Sequence, residues 1–90
     1  MEIEFDSDKD QINRSKHGVS LTAASAMDFS TALVFPDERR DYGEDRFWAM
    51  GEIAGRLHVL AFTMRGDIMR AISLRKATPS ERRDYREQGQ

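Results

Sequence analysis

Three apolar strand patterns follow one another at close spacing in the second half of the chain. They cover residues 46–53, 56–63 and 68–75 and are rich in β-branched, aromatic and other apolar residues. The short segments between them, Ala54-Gly55 and residues 64–67, contain glycine and are typical of tight turns, so the pattern predicts an antiparallel meander. Both alternating sets of side chains in the middle strand are mostly apolar, which indicates a central strand covered on both faces. On the third strand, simple alternation would place Ala71, Ser73 and Arg75 on one face.

Helix start and stop residues organise the first part of the chain. A short alternating pattern at residues 2–5 predicts a strand, after which Asp6 is placed to cap a helix over residues 7–16. Gly18 can end that helix in the left-handed conformation. Ile12 is the only strongly apolar residue inside it, so we expect a thin inner face built on that side chain.

A second helix and a strand are predicted before the meander. Ser20 can cap a helix running from Leu21 to about Phe29, which has an apolar stripe at helical spacing. Residues 32–35 form a strand pattern that Pro36 stops. The charged residues 36–45 are then expected to form an exposed loop.

The C-terminal segment has a well-marked helix start. Thr78 can cap, Pro79 suits the first helical position, and Glu81 completes a capping box, so we expect a helix from Thr78 to about Glu87. The predicted order is β-α-α-β-β-β-β-α. This order indicates an α+β fold with an antiparallel sheet packed by helices, in a single domain over residues 1–90.

Composition limits the classes of function. The chain has 90 residues, no cysteine and a net charge of −2, yet residues 46–76 carry six Arg/Lys against two acids. An acidic protein with one basic block is suited to a local anion site rather than to general nucleic-acid coating. With no apolar leader or membrane-spanning run, we expect a cytoplasmic protein without disulfides that does not bind membranes. Its modest apolar content, 39%, means that burial against a partner would add stability.

Several landmarks fall in the order found in a known family. They are Phe5-Asp6, Lys9, Asn13, Lys16-His17-Gly18-Val19, Gly43-Glu44, Arg46, Thr63, Arg65, residues 70–77, Glu81 and Tyr85. Over almost the whole chain this ordered set resembles the BrnT toxins, the toxin halves of BrnT–BrnA toxin–antitoxin pairs. The chain departs from the family pattern at Phe5, where members often carry Trp, and at Leu74, where they usually carry Ala. Phe62 stands where members carry an aromatic residue before the strand-end threonine.

The resemblance implies a RelE-like fold and RNA cleavage that inhibits translation, with no metal and no cofactor. It also implies neutralisation by a BrnA-type antitoxin encoded alongside. The expected assembly is a heteromeric complex in which the antitoxin mediates dimerisation, with contact to DNA only through the antitoxin.

Metal-free RNA cleavage needs a base for the 2′-OH, an acid for the leaving 5′-oxygen, and cations for the phosphate between them. The planar fork of arginine matches phosphate oxygens, and histidine titrates near neutral pH. The catalytic candidates are Arg75, Lys76, Arg70, Arg65 and His17. The RNA-binding candidates are Lys16, Glu44 and Arg46. No metal site is predicted, because the sequence has no Asp/His cluster at ligand spacing and its two histidines lie 41 positions apart.

Structural interpretations compete with these roles. Arg75 could simply be balanced by Glu81, and Arg70 could pair with an acid such as Glu52 across the sheet. His17 could be a helix-end residue hydrogen-bonded to a last-turn carbonyl group.

The remaining candidates have similar alternatives. Glu44 and Arg46 could form a loop salt bridge of little energetic value. Trp48 and Tyr85 could stack on bases or pack in the core. If the cations are structural or hold an acidic segment of a partner, the chain is a non-catalytic binding module derived from a toxin. A small-molecule enzyme has little support, since no cofactor motif is present.

Overall fold

The three strands of the meander form the centre of a mixed five-stranded sheet. A computed structural model describes residues 2–88. Its elements are β1 (Glu2–Glu4), α1 (Ser7–His17), a 3₁₀ helix (Leu21–Ala26), β2 (Leu33–Pro36), β3 (Phe47–Ile53), β4 (Arg56–Arg65), β5 (Ile68–Lys76) and α2 (Pro79–Glu87). The strand order is β1-β5-β4-β3-β2, with β1 parallel to β5 and every other pair antiparallel. The expected α+β class is therefore confirmed, and β4 is the central strand. The expectation of an antiparallel sheet is wrong at one edge, because β1 pairs with β5 in the parallel direction.

The hairpin turns of the meander are both two residues long. Ala54 and Gly55 have φ angles of 51° and 77°, the left-handed conformations that match the twist of the flanking strands. The second turn is shorter than the expected residues 64–67, because pairing continues to Arg65 opposite Ile68. Gly66, with φ of 63°, provides the positive φ angle that this turn needs.

Helix caps appear where the sequence places them. The Asp6 side chain accepts a hydrogen bond from the backbone of Asp8, and Gly18 ends α1 in the left-handed conformation with φ of 71°. At α2, Thr78 and Glu81 form both hydrogen bonds of a capping box. These short-range interactions fix where the helices begin and end.

The second predicted helix differs from the expectation. It is a 3₁₀ helix that ends at Ala26, not an α-helix reaching Phe29. The chain turns away because Asp28 N–H donates to the carbonyl group of Glu52 at 2.9 Å, which ties it to β3. Met27 packs directly over Gly51, where an added Cβ would lie 2.8 Å from Met27 Cγ. Docking onto the sheet therefore replaces the last helical turn.

The inner face of α1 is also not the expected one. Ile12 is 62% exposed, whereas Asn13 is 4% exposed. The Asn13 side-chain amide donates to the carbonyl groups of Val19 and Leu74, both at 2.8 Å, and its oxygen accepts from Leu74 N–H at 3.1 Å. Beyond Glu4, which pairs with Arg70, β1 no longer accompanies β5. Asn13 therefore supplies the hydrogen bonds that a neighbouring strand would otherwise give to Leu74.

A β-bulge in β5 changes which side chains share a face. Leu60 pairs with Leu74 and Phe62 pairs with Ala71, so β5 contains one more residue than β4 over this interval. The expectation that Ala71 shares a face with Ser73 and Arg75 is wrong, because the extra residue resets the alternation. Ala71 instead joins the core beneath the N-terminal helices.

Two cores lie on opposite faces of the sheet. One packs α1 and the 3₁₀ helix against β3, β4 and β5, with Leu21, Leu60 and Leu74 as its largest fully buried side chains. The other is smaller and packs α2 through Tyr85, whose hydroxyl group donates to the carbonyl group of Thr31 at 2.9 Å. Tyr85 is thus a core residue. Within residues 2–88, no helix combines the length and apolarity needed to cross a bilayer.

Candidate functional site

The sheet face packed by α2 also carries most of the candidate cations, and we call it the basic face. Strand register places Trp48, Ala61, Ser73 and Arg75 on it, with Thr63 and Arg70 further along. The bulge has a direct consequence here. Without the extra residue, Arg70 and Arg75 would point to opposite faces, because they are five positions apart.

Arg75 is held rigidly at the end of β5. Its Nη1 and Nη2 atoms donate to the two carboxylate oxygens of Glu81 at 2.7 and 2.9 Å, and Nη1 also contacts the carbonyl group of Lys76 at 3.4 Å. The Glu81 Oε1 atom accepts from Thr78 N–H at 2.9 Å as part of the helix cap. The ion pair offered as the structural alternative for Arg75 is therefore present. Two of the five N–H donors of its guanidinium are left for a ligand.

This ion pair fixes both charges at neutral pH. Hydrogen bonds from Arg75 lower the pKa of Glu81 to about 2, although partial burial acts in the opposite direction. The same bonds raise the pKa of Arg75. The arginine is thus permanently charged, oriented and largely balanced.

Arg39 is a residue that sequence reasoning missed. It lies in the loop between β2 and β3, which was expected to be only an exposed connection. Its Nε and Nη2 atoms donate to the carboxylate of Asp37 at 2.8 and 2.9 Å, and the Tyr42 hydroxyl group donates to the same carboxylate at 3.2 Å. The hydrogen bonds from Arg39 hold the pKa of Asp37 well below its usual range and raise that of Arg39. The Asp-x-Arg spacing after Pro36 was the available sign of this bidentate pair.

Arg39 and Arg75 belong to one cluster. The Arg39 guanidinium stacks over Trp48, with its central carbon 4.6 Å from the ring centroid. Arg39, Trp48, Arg75 and Glu81 line a shallow depression of about 270 Å³ together with Phe35. The positive charge of Arg39 also acts to lower the pKa of Arg75, against the larger effect of Glu81. Trp48 is half-buried at the edge of the smaller core and also forms part of this surface.

A second group of cations lies further along the basic face. Arg70 Nη1 is 3.0 Å from Glu4 Oε1, so its ion pair is with β1 and not with Glu52 as the sequence suggested. Arg46 Nε is 3.2 Å from Glu44, and its guanidinium lies 4.1 Å from the Tyr42 ring centroid. The loop pair predicted for Glu44 and Arg46 is thus present. The β4 residues that pair with Arg75 and Arg70, Val59 and Thr63, are four positions apart, or roughly 13 Å along the strand.

Lys76 and Arg65 lie apart from the cluster of Arg39 and Arg75. Strand alternation directs the side chain of Lys76 to the face opposite Arg75. Arg65 is exposed at the end of β4, roughly 20 Å along the strand from the level of Arg75. The two adjacent cations at the strand–helix junction therefore do not point at a common site.

His17 and Lys16 lie beside the edge of β5. They line a second depression with Ile12, Ile72 and Ser73. The pKa of His17 is lowered by burial first, then by the charges of Lys16 and Arg75. The His17 ring forms no hydrogen bond to another residue of the described range 2–88, and the helix end is closed by Gly18 N–H donating to the Arg14 carbonyl group. Burial and these two charges therefore favour the neutral form of the His17 imidazole.

The arrangement of potential metal ligands is a feature separate from the arrangement of the cations. In the part of the chain that the structure describes, no three His, Cys, Asp or Glu side chains converge as a metal-binding group. What the basic face offers chemically is a set of fixed guanidinium groups beside an aromatic ring, and the His17 imidazole lies beside the neighbouring edge of β5.

The comparisons with known proteins show the family of the chain. A model of the family described as "Ribonuclease toxin, BrnT, of type II toxin-antitoxin system" matches residues 5–81, a span that includes all the candidate residues. None of the curated proteins matches the chain. The matched segment begins at the strand–helix junction before α1 and ends at Glu81, the partner of Arg75. The chain therefore belongs to the BrnT family of ribonuclease toxins of type II toxin–antitoxin systems.

Proposed function

We propose that this chain is an endoribonuclease that cleaves RNA without a metal ion and thereby inhibits translation. The observation that carries the proposal is the fixed guanidinium group of Arg75 on the basic face, with His17 beside the neighbouring edge of β5, close enough for the charge of Arg75 to lower its pKa. His17 can accept the proton of an RNA 2′-OH. The 2′-oxygen then attacks the adjacent phosphorus, and the departing 5′-oxygen takes a proton from solvent.

Arg75 is suited to stabilise the charge that develops on the phosphate. Glu81 keeps its guanidinium in one orientation, so little reorganisation is needed when substrate binds. Arg70 and Arg46 lie on the same face at a distance that a few nucleotides can span, and they can bind flanking phosphates. Lys16 adds a further charge beside His17.

We also propose that a BrnA-type antitoxin neutralises the activity and mediates dimerisation of the complex, and that contact with DNA occurs only through this antitoxin. Family membership supports a protein antitoxin as the partner. The edge strand β2 exposes Val34 and Phe35, which are 54% and 41% exposed, and such apolar surface is common at protein interfaces.

A specific observation favours a second candidate function. The guanidinium groups of Arg39, Arg46, Arg70 and Arg75 each contact a carboxylate. Such pairing is what a structural or protein-binding role would produce, as in a non-catalytic module derived from a toxin. In such a module these carboxylates, and not RNA phosphates, would be the partners of the arginines.

Purified protein and a labelled RNA distinguish the two functions. We expect cleavage that persists in excess EDTA and falls about 100-fold or more in His17→Ala and in Arg75→Ala. Arg83→Ala, on the exposed side of α2, is the matched control and should cleave normally. Intact RNA with verified folded protein would favour the binding module, and cleavage abolished by EDTA would refute the metal-free mechanism.

Expression in a bacterial host tests the proposed toxicity and its neutralisation by the antitoxin. We expect growth arrest with RNA degradation on induction, and recovery when the antitoxin is co-expressed. The double variant Arg75→Ala/Lys76→Ala should lose toxicity while still binding the antitoxin. A fully toxic double variant would show that the site is elsewhere.

A further inference from the structure

Arg39 and Trp48 form a stacked pair on the basic face. The cleavage chemistry proposed above uses neither of these two residues. The guanidinium carbon lies 4.6 Å from the ring centroid. Asp37 fixes the plane of the guanidinium through two hydrogen bonds, and its side chain is 3% exposed, whereas that of Arg39 is 66% exposed. The guanidinium carbon therefore lies over the indole ring, while most of the Arg39 side chain remains exposed to solvent.

This pair offers a flat surface more than it offers net charge. Asp37 already neutralises Arg39, so an acidic peptide would gain little attraction there. A nucleobase would gain more, because unpaired bases stack on aromatic rings and on guanidinium planes whatever the local net charge. The chemistry of the pair thus favours RNA over an acidic protein segment.

The surroundings of the pair suit a single nucleotide. The depression of about 270 Å³ has apolar walls formed by Phe35, Met50 and Val59, and Arg75 lies at the same depression. Two N–H donors of Arg75 remain for a phosphate oxygen once its bonds to Glu81 and to the Lys76 carbonyl group are counted. A base on the stacked pair and its phosphate on Arg75 would occupy neighbouring parts of one surface.

We propose that Arg39, stacked on Trp48 and fixed by Asp37, is a nucleobase-stacking platform for the nucleotide whose phosphate contacts Arg75. This inference rests on the proposed function, since it names how the same face binds single-stranded RNA. Asp37 acts as a positioning residue that holds the guanidinium plane in place.

Short RNA probes test the platform independently of cleavage. The probes are single-stranded 2′-O-methyl RNAs, which cannot be cleaved through the 2′-OH, each with one abasic position moved along the strand. Binding is measured by anisotropy of an end label. It is measured in parallel, with unlabelled RNA, by the emission of Trp48, the sole tryptophan of the chain. For the wild type we expect one abasic position to weaken binding about tenfold and to remove the change in Trp48 emission.

Three variants separate stacking from charge. Arg39→Lys keeps the charge but lacks the plane, so it should bind the intact probe about tenfold more weakly and become insensitive to the abasic position. Asp37→Asn should also weaken binding of the intact probe and reduce the abasic penalty, because the guanidinium of Arg39 would no longer be held by a carboxylate. Arg40→Ala, in the same loop, is the control and should retain the wild-type abasic penalty.

The outcomes are distinct for the two proposals. An unchanged abasic penalty in Arg39→Lys, or no sensitive position in the wild type, overturns the platform. Absence of any RNA binding overturns the platform and the proposed ribonuclease function together. If unmodified RNA is bound with the penalty but never cleaved, the platform stands and the ribonuclease function fails.

Discussion

Asn13 is the side chain whose loss should most weaken the attachment of α1 to the sheet. It is buried and forms three hydrogen bonds to backbone groups of Val19 and Leu74. Asn13→Ala leaves a donor and two acceptors without these partners, the two groups of Leu74 in buried positions and the carbonyl group of Val19 in a partly buried one. Each such group costs about 1 kcal/mol or more, so we expect a loss of roughly 3 kcal/mol in the free energy of unfolding.

That loss is large for a chain of this size. A 90-residue domain is expected to have a total stability of about 5–13 kcal/mol. The variant should therefore unfold at a much lower urea concentration, with a melting temperature lower by roughly 12–24 °C. Urea unfolding followed by the emission of Trp48 measures the change directly, because this residue lies in the folded sheet.

The matched control is the neighbouring residue Ile12, which the apolar pattern of the sequence predicted to form the inner face of α1. Ile12 is mostly exposed, so Ile12→Ala should change the free energy of unfolding by less than about 0.5 kcal/mol. If Ile12→Ala proves more destabilising than Asn13→Ala, the interpretation of α1 as docked through an amide would be refuted.

Three further predictions concern packing and pH. Gly51→Ala should cost about 1–3 kcal/mol through contact with Met27, and Met27→Ala should recover part of that loss in the double variant, as urea unfolding would show. Because the pKa of Glu81 is lowered from 4.5 to about 2, its stabilising effect should be complete above pH 4.5 and lost as the pH falls toward 2. The stability difference between wild type and Glu81→Gln should therefore shrink over that interval. Since the pKa of His17 is lowered from 6.5, RNA cleavage should decline only at pH values below 6.5, and His17→Asn should lack this decline.

Each of these has a result that would count against it. Equal stability of Gly51→Ala and the wild type would mean that Met27 moves aside at no cost. A constant difference between wild type and Glu81→Gln down to pH 2 would mean that Arg75 does not depress the pKa of Glu81. An unchanged pH profile in His17→Asn would remove His17 as the base.

Local features of the fold were predictable because they depend on residues close in sequence. The caps at Asp6, Gly18 and Thr78 need only a few neighbouring residues, and each is present in the structure. The meander follows from strand periodicity and from turns of two residues. The ion pair between Arg75 and Glu81 was open to prediction for the same reason, since a strand end and a helix cap lie six residues apart.

Tertiary structure decided which of the candidate residues share a surface. The bulge opposite the Ala61–Phe62 step brings Arg70 and Arg75 to one face, and alternation in the sequence gives no indication of it. Arg39 reaches that face because Asp37 and Trp48 hold it there, although its sequence context is that of an exposed loop.

The sequence by itself determined the meander, the caps of α1 and α2, and the family, because these depend on short-range pattern and on the order of landmarks. The parallel pairing of β1 with β5, the docking of α1 through Asn13 and the shortened 3₁₀ helix were decided only in three dimensions. Each depends on backbone groups far apart in the chain, which can satisfy their hydrogen bonds only after the sheet has formed.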